Sequence, residues 1–193
     1  MEHTSSATAT ASTAAPTSAT TWSIDPAHSE VGFTVKHLMI SSVRGRFSDV
    51  KGTIVLDEQD PGRARVDVEI GVASIDTRTE QRDADLRSAN FFDVDKWPTI
   101  TFRSTRVEPL TGGSLRVSGD LTIRDVTKAF TFDATFDGRG PTPWGGEVIG
   151  YSADLKLSRK DFGLTYNVAL ETGGVLIGDE VTIHLGIEAG KQG

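Results

Sequence analysis

Few residues of this chain have the types and spacing that chemistry needs. Cysteine is absent, which removes thiolate zinc sites, iron–sulfur clusters, disulfides and cysteine nucleophiles. Of the four histidines, His3 lies near the start of the chain and His28 follows a Pro26 turn. His37 falls on the apolar side of an alternating segment, and His184 on the polar side of another. No two stand at metal-ligand spacing, and the sequence places no acidic cluster beside them. There is no G-x-S-x-G elbow, phosphate loop or dinucleotide fingerprint. Asp161-Phe162-Gly163 spells the metal tripeptide of kinases, but the glycine-rich and catalytic loops that would give it meaning are missing. Asp83 and Asp85 read as solvated carboxylates on a polar helix. The expectation is a protein without catalytic residues, metal or cofactor.

Three cations have an inward direction. Thr79 to Ala89 reads as a short helix whose buried stripe is set by Leu86 and Ala89, and Arg82 shares that stripe four residues earlier. An Asp83→Arg87 pair adds i, i+4 support. Lys128 has the parity of Phe130 and Phe132, and Arg159 continues that of Leu155 and Leu157. All three fit a rim where a wall of strands ends, either as structural ion pairs or as a cationic lip for the polar head of an apolar ligand. Leu38-Met39-Ile40 follows the Val31–His37 segment, and Met39's adaptable side chain suits it to line or gate an opening.

The elements that must position these residues are strands. Apolar and polar residues alternate over 31–37, 50–57, 64–70, 100–103, 115–123, 130–136, 149–157 and 181–187. A period of two is the signature of a half-buried strand. The connections carry turn chemistry, as in Asp60-Pro61-Gly62 and Leu110-Thr111-Gly112-Gly113, so neighbouring strands are antiparallel. One thin helix cannot cover eight apolar faces. The sheet must bury its inner face against itself, as a sandwich or a closed barrel, filled or hollow.

Length and composition bound the rest. The chain has 193 residues, with 37% hydrophobic and 24% charged residues, the balance of one globular domain. No apolar run exceeds three residues, so no transmembrane helix and no stable membrane insertion are expected. The net charge of −7 argues against nucleic acid or an anionic membrane surface as a partner, since both need a basic footprint. Residues 1–21 hold seven Thr, six Ala and four Ser and read as a disordered tail. Residues 22–188 form the domain, and 189–193 a short C-terminal tail. The chain opens without a basic n-region or a leucine-rich h-region, so a cytoplasmic location is expected, or an exported one where a leader has been removed.

The residues then form a familiar order. Trp22-Ser-Ile-Asp-Pro-Ala-His28-Ser29-Glu-Val-Gly-Phe-Thr-Val-Lys-His37 resembles the start of the YceI-like, or polyisoprenoid-binding, family. So do Val43-Arg-Gly-Arg-Phe47, Ser74-Ile-Asp76-Thr77 with Arg82-Asp83 and Leu86-Arg-Ser88, Phe91-Phe92-Asp93, Pro98-Thr-Ile-Thr-Phe102, Gly119-Asp-Leu-Thr-Ile123, Ser158-Arg159-Lys-Asp161-Phe162-Gly163 and Gly178-Asp-Glu-Val-Thr-Ile183. The resemblance implies an all-β, eight-stranded antiparallel lipocalin-like barrel. It implies an apolar tunnel that takes a long isoprenoid, an isoprenoid quinone, a prenyl diphosphate or another amphiphilic lipid, and a homodimer, as in many members. Where many relatives carry His between Asp83 and Leu86, this chain has Ala84-Asp85. The wall is expected at Phe33, Val35, Leu38, Met39, Val66, Val68, Ile70, Phe102, Phe130, Phe132, Tyr151 and Phe162, with His37 an interior polar contact. Arg82, Lys128 and Arg159 are the head-group candidates. The alternative is an enzyme acting on an amphiphile in the barrel through His37 and Arg82.

Overall fold

A computed structural model describes residues 19–57, 59–171 and 173–193. Its strands are β1 (Ala19–Ile24), β2 (Glu30–His37), β3 (Ser41–Phe47), β4 (Val50–Asp57), β5 (Arg65–Gly71), β6 (Ile75–Asp76), β7 (Thr99–Pro109), β8 (Leu115–Ile123), β9 (Val126–Pro141), β10 (Glu147–Ser158) and β11 (Ile177–Lys191). All pairings are antiparallel, in the order β1-β4-β5-β7-β8-β9-β10-β11-β2-β3-β6, and β1 also pairs β11.

That last pairing closes the sheet. β11 gives one edge to β10. Along its other edge, Ala189–Lys191 meets β1 and the stretch from Ile177 to Gly186 meets β2. β1 and β2 are therefore one strand path broken at residues 25–29. β3 and β4 form the next path, broken at 48–49, because β3 pairs β2 and β4 pairs β1. The result is an eight-path antiparallel barrel, and every alternating segment read from the sequence lies on it. Closure leaves no free edge along its main wall.

Three strands escape the alternation rule. β1 begins at Ala19, inside the stretch assigned to the tail, because its backbone is held by β4 from Ala19↔Asp57 to Ser23↔Thr53. Residues 1–18 lie outside the described residues, so the disordered-tail reading is not addressed there. Residues 189–191, read as C-terminal tail, continue β11. β3 (SSVRGRF) and β6 have too few apolar residues to show a period.

Helix α1 (Glu80–Arg87) lies where the sequence places it, but its buried side is different. Ala89 is exposed, and the helix's buried residue is Asp83. Arg87 is not paired with Asp83. It donates to the carbonyls of Ala73 and Ile75. A helix with so little apolar surface is held by hydrogen bonds to the segment before it.

The two ends of the barrel differ. At the end where β4 finishes and β9 turns into β10, Trp22 is 1% exposed and packs with Ile54, Ala64, Val107, Leu115 and Ile149. The Arg139 guanidinium lies 5.3 Å from its ring centroid, and Arg139 is held by Glu147 at 2.6 Å. This plug closes that end. α1, the β2–β3 hairpin and the 164–176 loop stand at the other.

The break between β1 and β2 holds a cluster that spacing along the chain conceals. His28 Nδ1 is 2.8 Å from Asp25 Oδ2 and 3.7 Å from Glu188 Oε1. These three groups have a spacing that could hold a metal ion; their direct contacts are those of an ion-pair cluster. The hydrogen bond to Asp25, then the charges of Asp25 and Glu188, raise the His28 pKa above its ordinary 6.5. The hydrogen bonds from His28 and the Ala27 N–H lower that of Asp25 below 3.8. The His28 contribution to stability is thus complete below 6.5 and is lost as pH rises through the raised value; the Asp25 contribution holds above 3.8 and is lost as pH falls through the lowered one. An NMR titration is expected to place the His28 midpoint above that of the same residue in Asp25→Asn. Equal midpoints would contradict the cluster. Trp22→Ala is expected to cost about 3–5 kcal/mol in urea unfolding.

Candidate functional site

The inward faces enclose two cavities stacked along the barrel. The central one, of about 170 Å³, is lined by side chains of every path, among them Val66, Val68 and Ile70 of β5, Phe102 of β7, Phe130 and Phe132 of β9 and Tyr151 of β10. Its lining is aliphatic and aromatic apart from Ser152 and the Tyr151 hydroxyl. That hydroxyl reaches the Gly113 carbonyl at 3.4 Å, and burial raises its pKa. Ring pairs narrow the space: Phe102 meets Phe132 at 5.6 Å between centroids, and Phe136 meets Tyr151 at 5.3 Å.

The second cavity, of about 700 Å³, is the mouth. It is lined by Phe33, Val35, Lys36 and His37 of β2, Val43 of β3, Gln81, Arg82, Asp85 and Leu86 of α1, and Phe91, Tyr166, Leu176 and Ile177. The inward residues of β2 cross from one cavity to the other. Val31 lines the centre; Phe33, Val35 and His37 line the mouth. The Phe33 ring at the mouth and the Phe47 ring at the centre are 5.8 Å apart between centroids. Gly45 makes that placement possible, because a Cβ there would overlap the Phe33 ring at 2.3 Å from Cζ. Phe47 lines the central cavity and Phe33 the mouth, so this ring pair lies where the two meet.

Polar groups gather at the mouth. Arg82 donates from Nε to Thr77 Oγ1 at 2.7 Å and from Nη2 to the Thr77 carbonyl and Thr79 Oγ1. Thr77 is held by Asp83, which accepts from its N–H at 2.9 Å and from its hydroxyl. Asp83 is 6% exposed, so the carboxylate read as solvated is a buried support for Arg82. The three bonds leave Arg82 Nη1 without a hydrogen-bond partner among the described residues. His37, the other candidate for acid–base work, lines the same mouth.

The remaining candidates lie elsewhere. Arg159 is 4% exposed. It donates to the carbonyls of Gly178, Leu164, Tyr166 and Ile177, with Asp179 Oδ1 at 3.4 Å. Its inward parity was legible, but its donors are spent on fastening the 159–166 turn to the start of β11. Burial lowers its pKa against the opposing charge of Asp179, and a guanidinium stays charged regardless. Lys128 is exposed, 4.0 Å from Asp161, and lines neither cavity. Phe162 is buried in the core beside Leu164 without lining a cavity. Leu38 and Met39 also line neither; they are exposed in the β2–β3 turn. Thr77, Asp83, Leu86 and Tyr166 are the site residues that alternation could not reveal, since they sit on a helix and on loops.

A closed antiparallel barrel of eight strand paths with an apolar interior has the lipocalin-like architecture. A family model described as the YceI-like domain matches residues 22–189. A protein of Salmonella newport named Protein YceI is 40% identical over 165 residues, covering 86% of this chain and 83% of the relative. One of Shigella flexneri with the same name is 38% identical over the same shares. The chain belongs to the YceI-like domain family. The crystal structure of the Campylobacter jejuni YCEI protein superposes with a TM-score of 0.68 at 31% identity, covering 82% of this chain and 90% of that one. A polyisoprenoid binding domain from Saccharophagus degradans, at 14% identity, shares the fold with a TM-score of 0.69, covering 89% of this chain and 98% of its own.

Arg159→Lys tests the structural assignment. Lysine cannot reproduce the fork that reaches several carbonyls. Loss of about 1–3 kcal/mol of stability in urea unfolding is expected; unchanged stability would contradict the structural assignment.

Proposed function

We propose that this protein binds, and carries or stores, a polyisoprenoid or a related long-chain amphiphile without chemically altering it. The chain sits in the barrel and the head group at the mouth. The observation that carries this reading is the unbroken apolar face of β2, which leads from the mouth past Phe33 into the aliphatic centre. The polyisoprenoid-binding description of the Saccharophagus degradans domain supports the ligand class.

Magnitudes favour a hydrocarbon chain. Each CH₂ moved from water to an apolar site is worth about 0.8 kcal/mol, so about twenty carbons give on the order of 16 kcal/mol gross. Chain ordering and lost rigid-body freedom take back much of that. The mouth has the size of an ordinary ligand site, roughly 300–1,000 Å³. The central cavity of about 170 Å³ is near the size that takes one benzene ring, roughly 150 Å³. A long chain therefore fills the mouth and extends past Phe33 toward the centre. Arg82, held by Thr77 and with Nη1 unspent, suits an anionic head. His37 and Arg82 at one mouth give some support to a second reading, chemistry on the same amphiphile; its mark is an altered lipid after prolonged incubation.

Native mass spectrometry of protein purified from its own host without detergent, followed by solvent extraction, is expected to release a long-chain lipid. Phe132→Arg, which puts a charge in the centre, is expected to abolish retention with the β-sheet circular dichroism intact. Val68→Phe, which narrows the centre without charge, should weaken it. Arg82→Ala is expected to lower affinity for charged-head lipids about tenfold while leaving neutral heads unchanged. Protein that extracts empty, or a Phe132→Arg variant that retains lipid normally, would overturn the proposal.

A further inference from the structure

Of the six large apolar side chains with high exposure among the described residues, five stand at the mouth end of the barrel: Leu38, Met39, Ile40, Tyr166 and Val168. The sixth, Trp144, is in the β9–β10 turn at the plugged end. Backbone bonds join the hairpin to the loop that carries Tyr166 and Val168. Leu38 N–H donates to the Leu176 carbonyl at 2.8 Å, and Leu176 N–H to the Val168 carbonyl at 3.0 Å. Tyr166, Leu176 and His37 line the mouth itself. The tip is also conformationally unusual. Leu38 and Met39 have φ of 54° and 60°, and Ile40 N–H closes the turn on the His37 carbonyl at 3.1 Å. Hairpin turns of this kind favour Asn-Gly. Here they display two apolar residues in a strained backbone, followed by Ile40 at 86% exposure. Strain of this sort concentrates at functional sites.

The same hairpin also carries positive charge. The chain carries −7 overall, yet Lys36 and Arg44, on neighbouring strands just behind the tip, are exposed or line the mouth and form no ion pair among the described residues. The tip is a narrow, convex apolar point backed by two unpaired cations, the chemistry of a segment that enters the headgroup layer of an anionic bilayer.

We propose that the β2–β3 tip and the 164–176 loop dock the mouth of the barrel on an anionic lipid bilayer, with Met39 and Ile40 entering the headgroup–acyl boundary and Lys36 and Arg44 facing lipid phosphates. The proposal deepens the carrier reading and rests on it for its purpose: a water-insoluble chain passes between bilayer and barrel without crossing water. No helix among the described residues is long and apolar enough to cross a membrane.

Vesicle flotation of the full chain tests it. Wild-type protein is expected to float with phosphatidylcholine–phosphatidylglycerol vesicles and weakly with phosphatidylcholine alone. Met39→Asp with Ile40→Asp is expected to lower partitioning at least about tenfold. Lys36→Glu and Arg44→Glu should each lower it about fivefold on the anionic vesicles only. Trp144→Asp, at the plugged end, should leave it unchanged. Lipid retention by native mass spectrometry on the same variants reads the cavity separately. Flotation by a chain that retains no lipid keeps the docking face and removes the carrier reading. The docking proposal is overturned by wild-type protein that does not float, by an equal loss in Trp144→Asp, or by a tip variant that halves the mass in solution while floating as before. That last result would make the tip a contact between two copies.

Discussion

The structure depends on one act of pairing, the meeting of β1 with the last residues of β11. Until it forms, the sheet has two open edges and an apolar face that nothing else in the chain can cover. Once it forms, the face turns inward on itself and the interior consists of whatever the alternating side chains leave unfilled. Val66, Val68, Phe102, Phe132 and Tyr151 are therefore core and cavity wall at once. A substitution that improves packing here reduces room, and one that enlarges room loosens the fold.

The two ends of the barrel divide this labour. Trp22, with Arg139 stacked over it, gives one end the density of a protein interior. At the other, the wall is taken over by a hairpin, a short helix and a loop, which meet through polar bonds as much as through packing. Asp83, Thr77 and Arg82 form a chain of contacts there that fixes a cation beside an apolar space. The arrangement keeps a carboxylate under the arginine and away from the opening, so the positive face is presented outward.

Much of the barrel was legible because a period of two is written directly into a half-buried strand. Parity put Val66, Val68, Ile70, Phe130 and Phe132 on the inside, and it put Phe33, Val35 and His37 on the face that becomes the mouth. It failed where a strand's inward positions are not apolar. In β3 they include Gly45, whose missing side chain makes space for Phe33, so the alternation vanishes for a packing reason. It failed again at α1, where Leu86 and Ala89 suggested an apolar stripe but the buried group is a carboxylate satisfied by Thr77. Arg159 shows the limit of direction as a guide. Its inward parity was right, yet whether a buried arginine meets a ligand or four carbonyls depends on the 164–166 backbone, which no pattern encodes. The Asp25–His28–Glu188 cluster was hidden for a related reason: one partner is brought in from the far end of the sequence by barrel closure.

The Trp22 stopper has a kinetic corollary. On the proposed carrier reading, a cul-de-sac has no through traffic: a molecule that enters tail first must back out along its own track, so loading and unloading compete for one doorway and cannot be optimised independently. Its orientation is settled on arrival, with only the leading group ever visible from outside. Residence time is then governed by the few side chains at the threshold, while the depth of the blind alley sets how long a guest can be.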